Sequence, residues 1–110
     1  MTVYFATYGK EKLVKIGHTG GSPKKRLMGG NTFNPHRLKL IGTIPGPVML
    51  EKFIQRLLQP YHYDREWFRY TPELKWAIKK ITAVELEDIF KAFDKIKKII
   101  KEALSIGELT

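Results

Sequence analysis

Cysteine is absent from this 110-residue chain. That removes disulfides and thiolate metal sites and leaves a reducing compartment open. Long uncharged apolar runs are also missing, so no spanning helix is expected. The first residues alternate like a strand instead of passing from a basic stretch to an apolar one, so no secretory leader is expected. Histidine occurs three times, at His18, His36 and His62, too scattered for a zinc spacing. The phosphate-loop frame G-x-x-x-x-G-K-[ST] is absent around Gly20-Gly21, so nucleotide hydrolysis has no support. There is no internal repeat and no low-complexity tract.

Acid is scarce. Eleven Asp and Glu face twenty Lys and Arg, a formal charge of +9. Such an excess suggests a polyanionic partner, most often nucleic acid. It is unevenly placed: residues 1–72 carry +8 and residues 73–110 only +1. The polyanion surface is therefore expected in the first two thirds. A hydrophobic content of 43% is enough for one folded domain with one main core. The expected setting is cytoplasmic or nucleoid-associated, with no membrane partner.

Residues 2–7 read as a strand, 8–12 as a hairpin turn and 13–19 as a second, antiparallel strand. Ser22 with Pro23 reads as the start of a short helix to about Met28. Residues 31–36 read as a loop, and residues 38–44 as a third strand. Residues 48–58 read as a helix whose apolar positions are Val48, Leu50, Phe53, Ile54, Leu57 and Leu58. Trp67, Phe68 and Tyr70 form a brief extended segment. Thr71 caps a helix over 73–80, with Pro72 at its first position. A last helix fits 84–104, with Leu86, Ile89, Phe90, Phe93, Ile96, Ile100 and Leu104 as its stripe. The tail 105–110 is expected to fray. The division is a body over 1–80 and a helix over 84–104. That helix docks on the body or, alternatively, forms a homodimer or a protein-partner interface.

Several side chains have chemical potential. Arg26 can hold a phosphate through two hydrogen bonds, although a lysine-rich run is more often a solvated face. Lys24, Lys25, Arg37 and Lys39 suit contacts to a DNA backbone. Glu51 falls beside the edge of its helix's apolar side. It can bind a hard divalent cation or lie on the surface of the first turn, and spacing alone fits the surface better. Gln55, one turn on, can hydrogen-bond beside it. Tyr4 and Tyr8 are packing residues or hydroxyls that orient a nucleophile. His18, beside a turn, can accept or shuttle a proton. Trp67 and Phe68 read as core, leaving Arg65, Arg69 and Tyr70 as a binding rim.

Six fragments, in order, carry a resemblance: Val3-Tyr4-Phe5, Val14-Lys15-Ile16-Gly17-His18-Thr19, Pro23-Lys24-Lys25-Arg26-Leu27, Asn34-Pro35, Leu50-Glu51-Lys52 and Glu66-Trp67-Phe68. Over roughly residues 2–72 the chain resembles a GIY-YIG nuclease domain. More narrowly, it resembles the phage-associated T5orf172 branch with its meiotically-upregulated-gene-like members. Residues 84–104 lie outside these fragments. The resemblance implies an α+β fold with a small three-stranded antiparallel sheet flanked by helices. It also implies metal-dependent hydrolysis of a DNA phosphodiester. The first motif's tyrosine falls on Tyr4, the helix arginine on Arg26, the metal-binding glutamate on Glu51 and the small glycine on Gly17. His18 takes the variable position after that glycine.

The implied cofactor is Mg²⁺ or Mn²⁺ on Glu51. Tyr4 with His18 would orient or deprotonate water, and Arg26 would grip a non-bridging oxygen. Two positions depart from the pattern. Lys15 stands where the wider superfamily has tyrosine, and would act as an electrostatic clamp or a base. Gln55 stands where the branch often has histidine, and glutamine cannot act as a base. The alternative is a noncatalytic nucleic-acid-binding domain that keeps the nuclease fold.

Overall fold

The computed structural model describes residues 1–8, 12–23, 38–85 and 88–109. Strand β1 (Thr2–Tyr8) alternates cleanly. Val3 and Phe5 turn to one face of the sheet and join the main core, whereas Tyr4 and Ala6 turn to the other and pack with Leu38 and Leu40. This is the period of two that a strand imposes. Strand β2 (Leu13–Thr19) pairs antiparallel with β1, setting Tyr4 opposite Gly17 and Val3 opposite His18. Strand β3 (Leu38–Pro45) pairs with the other side of β1, with a register shift between Phe5 and Ala6.

The sheet has five strands, not three. A hairpin of β4 (His62–Asp64) and β5 (Trp67–Arg69) adds to the β2 edge, giving the order β3-β1-β2-β5-β4. Three-residue strands are too short to show a period. Their turn holds Arg65 at φ 51, where glycine or asparagine would have signalled it. Pairing also splits the aromatic segment. Phe68, opposite Val14, is buried in the core, while Trp67, opposite Lys15, is half-buried on the other face.

Helices α1 (Val48–Leu57), α2 (Pro72–Thr82) and α3 (Ile89–Leu109) complete the described fold. The Thr71 hydroxyl caps α2, accepting from the Leu74 N–H at 3.2 Å, a contact worth about 1 kcal/mol. Leu50, Ile54 and Leu58 of the α1 region and Leu74, Ile78 and Ile81 of α2 join Val3 and Phe5 in one core. Helix α3 starts later than expected because the Asp88 carboxylate caps it, accepting from the Phe90 N–H at 2.9 Å.

Its stripe shifts accordingly. Ala92, Ile96, Ile100 and Ala103 are buried, and Phe90, expected in the stripe, is 79% exposed. The expected stripe residue Leu86 lies outside the described residues. Phe93 meets Phe53 with ring centroids 4.7 Å apart, adding about 0.5–1.5 kcal/mol beyond burial. Residues 105–109, expected to fray, are helical. Among the described residues no helix is long and apolar enough to cross a membrane. The helix expected over 23–28 lies outside the described residues from Lys24 onward.

Candidate functional site

Strand β5 pairs with only the first half of β2, Leu13 to Lys15. One further bond runs from the Ile16 N–H to the Glu66 carbonyl at 3.0 Å. In an antiparallel strand both backbone groups of a residue point the same way. The Ile16 carbonyl therefore points to the same side, just past the end of the ladder. The Gln55 side chain on α1 fills that place, donating Nε2–H to the Ile16 carbonyl at 2.9 Å and to Glu51 Oε1 at 3.3 Å.

Glu51 is consequently inside, at 4% exposure, which corrects the surface placement that its spacing favoured. Its Oε1 also lies 3.8 Å from Lys52 Nζ. A buried carboxylate requires such partners. The expected pairing of Gln55 with Glu51 across one helical turn is present.

Tyr4 approaches the same stretch of β2 from the opposite face of the sheet. It is 1% exposed. A Cβ placed on Gly17 would come within 2.5 Å of the Tyr4 hydroxyl oxygen, so the ring lies where only glycine leaves room. Lys15, on the same face, holds Nζ 5.9 Å from the Tyr4 ring centroid and 3.7 Å from Glu66 Oε2. The pair is partly exposed and contributes less than about 1 kcal/mol. Lys15, Arg65, Glu66 and Trp67 line a depression of about 320 Å³ here. Glu66 as the partner of Lys15 was not evident from sequence, because only the hairpin brings the two together.

The other expected site residues are dispersed. His18 faces the helix side with Val3, away from Tyr4, and its Nε2 donates to the Gly46 carbonyl at 3.2 Å. The structure therefore does not bring His18 and Tyr4 together. Arg26, Lys24, Lys25 and Arg37 lie outside the described residues, as does Asn34-Pro35. Lys39 is exposed on β3, and Arg65 is exposed in the β4–β5 turn. Arg69 is exposed but tethered, donating from Nη2 to the Pro60 carbonyl at 2.6 Å.

A second tyrosine–glutamate pair lies apart from this region. The Tyr61 hydroxyl donates to Glu73 Oε1 at 3.0 Å. Gly107 of α3 packs over both, since a Cβ there would meet the hydroxyl at 2.8 Å and the carboxylate at 3.0 Å. Burial first, then the adjacent Glu73 carboxylate, pushes the Tyr61 phenol up to about 12. Burial alone would raise Glu73. Hydrogen bonds from its own backbone N–H, Thr71 and Tyr61 outweigh that and hold its carboxyl below the ordinary value.

Among the described residues no three His, Asp or Glu side chains gather to cage a metal. A single buried carboxylate fits Mg²⁺ or Mn²⁺ differently, since such ions can bind one protein carboxylate, several waters and substrate phosphates. Among the described residues Glu51 is the buried carboxylate of that kind.

No curated protein and no solved structure matches the chain. A family model described as T5orf172 domain matches residues 1–101. That match takes in the sheet, α1, α2 and more than half of α3, beyond the 2–72 spanned by the short motifs. The chain belongs to the T5orf172 domain family.

Proposed function

We propose that this protein is a metal-dependent DNA endonuclease. Family membership supports a nuclease-like or DNA-binding domain, and the charge of +9 suits a nucleic-acid partner. The observation that carries the catalytic part is the burial of Glu51 and its tether through Gln55 to the Ile16 carbonyl. That carbonyl adjoins Gly17, over which the Tyr4 hydroxyl lies. The Gln55 amide that holds the carboxylate and the Tyr4 phenol thus meet one short stretch of β2, on opposite faces of the sheet.

Glu51 would hold the ion, which when bound supplies Lewis-acid charge at the scissile phosphate. Tyr4 orients the attacking water or takes its proton. Lys15 adds positive charge beside that phenol, and Arg26 grips a non-bridging oxygen. His18 is assigned no proton transfer, because it serves the Gly46 carbonyl on the other face. Gln55 is a positioning residue.

Supercoiled DNA incubated with Mg²⁺ or Mn²⁺ tests the reading. The parent chain is expected to nick it, and Glu51→Ala to lose about 100-fold or more in rate with DNA affinity nearly unchanged. Equal nicking by Glu51→Ala would overturn the metal assignment. The second reading, a noncatalytic DNA-binding domain, draws on Lys15 standing where the wider superfamily has tyrosine and on Gln55 standing where the branch often has histidine. Binding without cleavage under either metal would select it.

A further inference from the structure

The hairpin that widens the sheet also makes a cleft. Lys12, Leu13, Tyr63, Arg69, Tyr70 and Thr71 line a space of about 510 Å³ between the start of β2 and the β4–β5 pair. We propose that this cleft holds an unpaired base of single-stranded DNA, stacked on Tyr63, with its neighbouring phosphates against Lys12 and Arg69. The proposal rests on the DNA-directed reading above and adds the feature of DNA that is recognised.

Three observations carry it. First, Tyr63 is 64% exposed and is set among cations. An aromatic face beside positive charge is the arrangement that grips single strands whatever their sequence. Second, the walls are already formed. Arg69 is fixed by the Pro60 carbonyl at 2.6 Å, and the Tyr70 N–H donates to the Lys12 carbonyl at 2.9 Å. One of five guanidinium donors is used in this way, so binding needs little further ordering of the arginine.

Third, the cleft is in line with the candidate site. Leu13 and Gly17 share one face of β2, about 13 Å apart, and Lys15 between them lines the depression it shares with Arg65, Glu66 and Trp67 of the hairpin. A base inside a duplex keeps both faces stacked and cannot offer one to Tyr63. The substrate class is therefore DNA with an unpaired stretch beside the cut.

Fluorescence anisotropy in metal-free buffer tests this on the full chain, with labelled oligothymidine and a labelled blunt duplex as probes. Tyr63→Ala is expected to weaken oligothymidine binding about tenfold and to leave duplex binding unchanged. Tyr63→Phe keeps the ring and is expected to bind like the parent. Equal losses on both probes, or no loss on the single strand, overturn the proposal. So does polyglutamate competing as well as oligothymidine in a Tyr63-dependent way, which would mark a protein site. If Tyr63→Ala binds the single strand normally while Glu51→Ala no longer nicks, the cleft falls and the nuclease stands. Tyr63-dependent binding in a chain that never cuts gives the reverse.

Discussion

Among the described residues two buried tyrosines, Tyr61 and Tyr4, each pack against a glycine, and they stand to a glutamate in opposite ways. At Tyr61 the hydroxyl bonds Glu73 directly and Gly107 closes over the pair. The phenol is hard to ionise through burial first and then the Glu73 carboxylate, and hydrogen bonds from Glu73's own N–H, Thr71 and Tyr61 outweigh burial to make the carboxyl hard to protonate. At Tyr4 the glycine lies under the ring, and Glu51 takes its hydrogen bond from Gln55. Among the described residues no carboxylate bonds the Tyr4 hydroxyl. The same three residue types make a structural clasp when phenol and carboxylate satisfy each other.

Removing each hydroxyl should separate the two most widely. Tyr4→Phe keeps its packing, so unfolding free energy should change by less than about 0.5 kcal/mol while nicking falls about 100-fold. Tyr61→Phe should leave nicking intact and cost about 1–2 kcal/mol of stability. Urea melts and plasmid nicking read both effects, and a Tyr4→Phe chain that cuts normally would erase the distinction.

The glycines come next. Gly17→Ala must displace a ring that is 1% exposed and should cost about 1–3 kcal/mol. Gly107→Ala presses on side-chain tips beside a cavity of about 260 Å³. Alanine also favours the helix by about 1 kcal/mol, so the net cost should be smaller. Similar losses in the two melts would break the comparison.

The smallest effect is pH dependence. The Tyr61 phenol has its folded-state value raised above the ordinary 10. Its contribution is full below pH 10 and is lost as pH rises toward 12. Glu73 is lowered below its ordinary 4.5, so its contribution is present above that value and is lost as pH falls through the folded one. Thermal melts of Tyr61→Phe should lack the extra alkaline loss.

Much of the fold was legible because its code is local. Thr71-Pro72 starts α2 as read, and β1 and β2 pair as their alternation requires. What escaped detection depends on distant partners. The β4–β5 hairpin has strands too short for a period and an arginine at its left-handed turn position. The burial of Glu51 follows from where β5 stops on β2, which periodicity within α1 does not report. The α3 stripe was misplaced at Phe90 because its seam uses Ala92 and Ala103, small residues that an apolar pattern underweights.

The ladder between β2 and β5 stops one rung short of completion. Arg65 turns the chain, the Ile16 N–H is taken by Glu66, and the Ile16 carbonyl is left for an amide from another element. A hairpin one residue longer would claim that carbonyl for itself, and α1 would lose its anchor on the sheet edge. Hairpin length therefore acts as a ruler for where the Glu51 carboxylate rests, and an insertion between Asp64 and Trp67 would shift that position without altering any residue of α1.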